Sequence, residues 1–231
     1  MALRPIFCPM LDGDIGVVEK MMDFKWHPGV SVSQKQKSIN ELHTVAKTHG
    51  LDDVLEVSSK SLDELGVALS AFNLCITTKV KQQRFTVETA FQGSKVFENG
   101  GPYRDLFGLD SLAAKKDERT KSSGNLTHFE FFGTVFPNTP RTYFYDWLYI
   151  NALVQNDDLA KRVIKYQAFS DIEFNPKKSI NCQAYSVALY VSLMHHNLLD
   201  KALSSPESFL SLTEAQYNHQ LRAKPVQQKM F

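Results

Sequence analysis

The 231 residues carry 26 Lys and Arg against 25 Asp and Glu, a formal charge of +1, which argues against binding nucleic acid by bulk electrostatics while leaving room for a local basic mouth. A hydrophobic share of 43% with 16 Phe suffices for one well-buried aromatic core in a soluble globular protein. Cys8, Cys75 and Cys182 are far apart and form no CxxC or CxxH pair, so neither a disulfide framework nor a zinc site is supported and a reducing cytosol fits best. No segment approaches the roughly 18 to 20 apolar residues of a membrane span, and none at the N-terminus is long enough for a signal peptide. The expectation is a soluble cytoplasmic protein with no metal, no other cofactor and no membrane contact.

In chain order, residues 1–62 read as an N-terminal extension packed on a core. Val17 to Trp26 has strand character and ends at the turn His27-Pro28-Gly29. Ser33 can cap a helix through about Lys47, closed by Gly50. Leu55–Val57 and Leu69–Ile76 are short strand candidates, and Lys79–Phe85 can pair with the second. From Thr86 onward the pattern is mainly helical, with helices predicted over 86–98, 109–121, 140–158, 180–197 and 206–212. Phe129–Phe136 ends at Pro137 and reads as a short buried strand or loop. The helix from Arg141 is apolar nearly all round (Tyr143, Phe144, Tyr145, Trp147, Leu148) and belongs at the centre of the core. The whole is predicted to be mainly α with a minor β component: a single multihelical domain with short N-terminal strands, a catalytic core over 63–212 and a flexible tail over 224–231.

Within the 86–98 helix, Glu88, Gln92 and Lys95 stack beside an apolar face made by Val87, Ala90, Phe91 and Phe97. Glu88 borders that face, and burial disfavours the charged form of a carboxyl, as a general acid near neutral pH requires. The plain alternative is a solvated helix face. Lys115 lies in Ala114-Lys115-Lys116-Asp117-Glu118-Arg119, where a neighbouring cation such as Lys116 or Arg119 could make an amine nucleophilic; a wet charge run is the alternative. Asp146 and Asn151, inside the apolar helix, are either hydrogen-bond hubs or site-lining residues. The polar stretch Asp171 to Asn181, with Lys177 and Lys178, precedes a helix that Ser179 or Asn181 can cap and whose N-terminal amides suit a phosphate. His195 and His196 diverge on their helix, and no GxGxxG, GxxxxGK[ST] or GxSxG occurs.

Leu69-Ser70-Ala71-Phe72, Val87-Glu88-Thr89-Ala90-Phe91-Gln92-Gly93-Ser94-Lys95, Ala114-Lys115…Arg119 and the Asp171 loop together resemble the NADAR superfamily in order and early spacing, over about 66–197. More narrowly, Phe24 to Ile39, Phe144 to Leu153 and Asp171 to Ala184 are similar to the antitoxin subgroup paired with DarT-type DNA ADP-ribosyltransferase toxins. The chain departs from the superfamily pattern at Ala71, Thr89, Glu118 and Phe174-Asn175.

The resemblance implies a hydrolase that removes ADP-ribose from guanine bases of DNA, reversing the toxin's mark as an antitoxin in phage defence. Its partners would be ADP-ribosylated DNA, ADP-ribose as product and the cognate toxin. Carried over by position, Glu88, Lys115, Arg119 and Asp171 match the family's motif residues; Glu88 and Lys115 are expected to be catalytic, Phe72, Gln92, Arg119, Trp147, Asp171 and Asn181 to bind ADP-ribose, and Lys95 to support. Arg119 and the amides near Ser179 could hold the diphosphate, and Lys79, Lys81 and Arg84 are either contacts for the DNA backbone or a plain surface run. Two other readings stay open: an N-glycosidase on a small ribosylated metabolite, and an antitoxin that blocks its toxin without catalysis.

Overall fold

The computed structural model describes residues 1–78, 81–177 and 179–219. β1 (Ala2–Pro9) pairs antiparallel with β2 (Val17–Phe24), and α1 (Val32–Thr48) follows. Its N-cap is Ser31, whose hydroxyl accepts from the Gln34 amide, two residues before the predicted Ser33. β3 (Val54–Glu56), α2 (Glu64–Ala68), β4 (Cys75–Thr77) and β5 (Arg84–Thr86) lead into α3 (Val87–Gly93) and β6 (Lys95–Phe97). Next come α4 (Ser111–Lys116), α5 (Arg119–Ser122) and the hairpin of β7 (Leu126–Phe131) with β8 (Thr134–Pro137). The remainder is α6 (Tyr143–Gln155), α7 (Asp157–Val163), β9 (Ala168–Ser170), α8 (Gln183–His195), α9 (Leu199–Leu203) and α10 (Pro206–His219).

The expectation of a mainly α fold is overturned. Helix accounts for 44% and strand for 20%, an α+β arrangement with several sheets. Strands are ordered β2-β1-β9-β3 in one sheet, β4-β5 in a second and β6-β7-β8 in a third. β9 runs parallel to β3 and antiparallel to β1. Several of these strands are three residues long, too short to display an alternation, and β9 is buried throughout. β2, β3 and the β4–β5 pairing fall on the strand candidates read from sequence, whereas β1, β6 and β9 were not anticipated.

The four-stranded sheet has an apolar layer on each side. Ile6, Met22 and Phe24 meet Ile39, Leu42 and Ala46 of α1 on one side. Phe7, Leu55 and Phe169 join Tyr185 and Leu189 of α8 in the larger core on the other. α6 and α8, apolar all round as predicted for α6, are almost entirely buried there. Asp146 is a hub between helices: its carboxylate accepts from Ser186 of α8 at 2.6 Å and from Tyr217 of α10 at 3.2 Å. Asn151 bonds back to the Trp147 carbonyl at 2.8 Å.

Two predicted helices are interrupted well inside the ranges that the periodicity suggested. The one over 86–98 stops at Gly93, where the Phe107 ring lies 2.4 Å from the position a Cβ would take. Lys95–Phe97 then joins β7 as strand. The one over 109–121 breaks at Asp117, whose backbone leaves the helical region and whose carboxylate takes the Arg119 amide at 2.9 Å. Lys79, Lys178, part of the predicted 79–85 strand and the 224–231 tail lie outside the described residues.

Candidate active site

Every residue of α3 is buried, Glu88, Thr89 and Gln92 included, so its polar stripe is not a solvated face. The sequence Thr86-Val87-Glu88-Thr89 starts the helix with a hydroxyl cap: Thr86 accepts from the Thr89 amide. The amides of Val87 and Glu88 are taken by the carbonyls of Leu74 and Ala71, both at 2.9 Å, which binds α3 to the 70–74 turn. Spacing of four places the Gln92 amide 2.9 Å from the Glu88 carboxylate, and Lys95 Nζ donates to the Gln92 carbonyl oxygen at 2.7 Å. Lys95 also lies over the Phe91 ring. Burial, outweighing the attraction of Glu88 and aided by repulsion from Lys115, lowers its ammonium to a pKa of about 8.

Glu88 lines a cavity of about 550 Å³, open to solvent, with Phe72, Gln92, Lys115, Asp171 and Asn181 also on its walls. Lys115 stands on α4, whose start is pinned to α3 by the Ser111 hydroxyl, 2.8 Å from Thr86 Oγ1 and donating to the Phe72 carbonyl at 3.1 Å. Asp110 caps the same helix through the amides of Leu112 and Ala113. Lys115 itself is exposed, with Nζ 5.2 Å from the centre of the Phe72 ring.

The opposite wall is the loop after β9. Asp171 is buried and accepts from the amides of Glu173 and Phe174, the Asx turn that shapes the loop. Behind it, Glu56 accepts from Ser170 Oγ at 2.5 Å and from the Ile172 amide at 2.8 Å, and His43 of α1 reaches Ser170 Oγ at 2.8 Å. Burial first, and then its neighbour Glu56, pushes the Asp171 carboxyl well above the usual range; burial likewise raises Glu56. Burial lowers His43 to about 4. Gln183 ties three segments together, accepting from the Ala71 amide at 2.7 Å and donating to the Val57 carbonyl at 2.6 Å. The N-cap of α8 is Cys182, with no side-chain cap from Ser179 or Asn181.

Six of the eight site residues expected from sequence therefore meet on one cavity. Arg119 and Trp147 are not among its lining residues. The Arg119 guanidinium bonds Asp117 at 2.9 Å and Asp105 at 2.6 Å and stacks on Tyr103. Trp147 packs against Phe131 and Phe136. Lys81 and Arg84 are exposed. Tyr145 and Gln183 are lining residues not singled out from sequence. Tyr145 sits in an apolar run that reads as core, and burial followed by the Glu88 carboxylate holds its phenol well above the usual range. Gln183 carries no pattern to mark it. Among the described residues no group of His, Cys, Asp and Glu could hold a metal ion.

The cavity thus brings the buried Glu88 carboxylate together with the amines of Lys60, Lys115 and Lys116 in a half-polar cleft. The chain belongs to the DarT1-associated NADAR antitoxin family, whose model matches residues 2–223. No curated protein matches it in sequence. Among the described residues no helix is long and apolar enough to cross a membrane.

Proposed function

We propose that this antitoxin is a cytoplasmic ADP-ribosyl hydrolase that removes ADP-ribose from guanine bases of DNA and so reverses its toxin's modification. The observation that carries the reading is the meeting of Glu88 and Lys115 on one cavity with Phe72, Gln92, Asp171 and Asn181. A neutral lysine amine attacks the anomeric carbon, forming a C–N bond as the bond to guanine breaks. Glu88 gives a proton to the departing base and takes one from the amine. Ring opening yields an imine, which water hydrolyses to free ADP-ribose and lysine. Lys115 is one of the cavity's lining amines, with Lys60 and Lys116, and the one that the motif order singles out. A second reading gives the attack to Lys95, favoured by its pKa of about 8, which leaves roughly a tenth of the amine neutral at pH 7.

Incubation with guanine-ADP-ribosylated oligonucleotide tests the activity: wild type should release ADP-ribose and Glu88→Ala should not. Undiminished release by the variant would sink the role of Glu88, and no release by wild type would leave the metabolite and toxin-blocking readings. Borohydride trapping with ADP-ribose tests the amine. Loss of the adduct in Lys115→Ala supports Lys115, loss only in Lys95→Ala supports Lys95, and an adduct persisting in both removes these lysines.

A further inference from the structure

Beside the cavity at Glu88 lies a second one of about 590 Å³, and Phe91, Ile180 and Asn181 line both. The second is lined by Lys95, Lys121 and Arg141, and no Asp or Glu is among its lining residues. Arg141 Nη1 is shielded from solvent with no hydrogen-bond partner, an expensive state for a guanidinium nitrogen. Asn181 Oδ1, on the shared wall, is likewise buried without a partner. Nearby polar groups are already engaged: the Asn125 side-chain amide donates to Glu98 at 3.1 Å, Asn138 to the Leu126 carbonyl at 2.9 Å and Thr120 to the Asp117 carbonyl at 2.7 Å. The unmet capacity is therefore cationic donation from Arg141 together with one acceptor at the junction.

We propose that the second cavity is a phosphate subsite, in which Arg141, with Lys121 at the rim, takes up a phosphate group of a substrate whose sugar lies at Glu88. This deepens the activity proposed above and rests on it. A planar guanidinium with free donors in a pocket without carboxylates is suited to a phosphate oxygen pair. Asn181 Oδ1 is placed to accept from a sugar hydroxyl between the two cavities. The phosphate has two sources, the diphosphate of ADP-ribose and a phosphodiester of the DNA strand flanking the modified guanine, and either presents the same oxygens.

Calorimetric titration of wild type and Arg141→Gln with ADP-ribose, and separately with an unmodified guanine-containing single-stranded oligonucleotide, tests the subsite and separates the sources. Losing a charged hydrogen bond weakens binding about tenfold to a hundredfold. That loss for ADP-ribose alone assigns the diphosphate. That loss for the oligonucleotide, with a shallower salt dependence, assigns the strand. Equal affinities of variant and wild type for both probes overturn the subsite, as does a wild type that binds neither. Should Arg141→Gln fail to fold, Lys121→Gln, at an exposed position, gives the same readings with a smaller loss, and unchanged binding there overturns the inference. Release of ADP-ribose from modified oligonucleotide is read independently: its absence in wild type removes the activity without touching the Arg141 dependence of binding, and the reverse result removes only the subsite.

Discussion

α3 and the α4–α5 segment both enter as charged stripes, yet the fold treats them oppositely. On α3 the carboxylate, the amide and the following lysine form a buried hydrogen-bonded line from Glu88 through Gln92 to Lys95. On α4–α5, Lys115, Lys116 and Glu118 remain exposed and Arg119 is occupied by two aspartates. Helical spacing alone does not distinguish the two, because what buries α3 is the 70–74 turn and the aromatic cluster of Phe129 and Phe144 around Phe91. Burial governs the protonation of Lys95 at the end of the line, lowering its ammonium to about 8. The buried line should therefore dominate the chemistry, and the exposed segment should contribute through whichever side chain reaches the cavity.

The sharpest way to break that contrast is Glu88→Gln, which keeps the shape and removes the proton-transfer group. Hydrolysis of modified oligonucleotide should fall about 10²- to 10⁴-fold with the melting temperature little changed. A loss matched by unfolding, or activity within a few-fold of wild type, would show that the buried line is structural.

The two lysines come next. If the Lys95 amine attacks, the rate should rise with pH and level off above about 8, since its ammonium must first lose a proton. Lys95→Met should then abolish turnover, whereas Lys115→Met should remove a repelling cation and move the inflection upward. Should Lys115 attack instead, Lys115→Met abolishes turnover and the inflection near 8 has no bearing on the chemistry. Rate against pH from 6 to 10 for the three proteins decides between these outcomes.

A third effect belongs to the loop wall and acts on stability. His43 titrates at about 4 in the folded protein against 6.5 when free, so between those values only the unfolded chain takes up the proton. Stability supplied by neutral His43 is complete above about 6.5 and declines as pH falls to about 4, by up to about 3 kcal/mol. Glu56 and Asp171 act in the opposite sense: their raised carboxyls hold protons that the unfolded chain has released, so their contribution weakens as pH rises above the ordinary carboxylate range. Denaturant unfolding of wild type and His43→Gln at pH 4.5 and 7 isolates the histidine. The variant should lose less stability on acidification, and equal losses would show that burial does not govern His43.

The large helices were legible because their burial is written into composition. α6 and α8 have apolar residues on every side, and Gly50 does follow the end of α1. The sheets were legible in part: β2, β3 and the β4–β5 pairing fall on strand candidates, whereas β1, β6 and β9 did not stand out, β6 and β9 having three residues each and acquiring meaning only from partners elsewhere in the chain. In the candidate site, Glu88, Gln92 and Lys115 stood out by spacing and by order of motifs. Tyr145 did not, because a phenol in an aromatic run looks like packing, and Arg141 had no local feature to mark its unpartnered nitrogen. Sequence shows which groups are present near one another along the chain; it does not show which donors the fold leaves unmatched.

Arg119 carries the smallest expected effect and tests the other half of the contrast. By its place in the motif it should grip the diphosphate, but its guanidinium already holds Asp117 and Asp105 and lies on Tyr103 rather than on the cavity. Binding a phosphate there would mean surrendering those bonds, so little net attraction remains. Arg119→Ala should alter ADP-ribose affinity by less than about threefold and leave stability little changed, as expected for exposed ion pairs. Arg141→Gln, whose buried nitrogen surrenders nothing to take up a phosphate, should weaken binding more. If the order is reversed in the same titration, the exposed segment closes over the ligand on binding, and α4–α5 rather than α3 becomes the part of the site that discriminates.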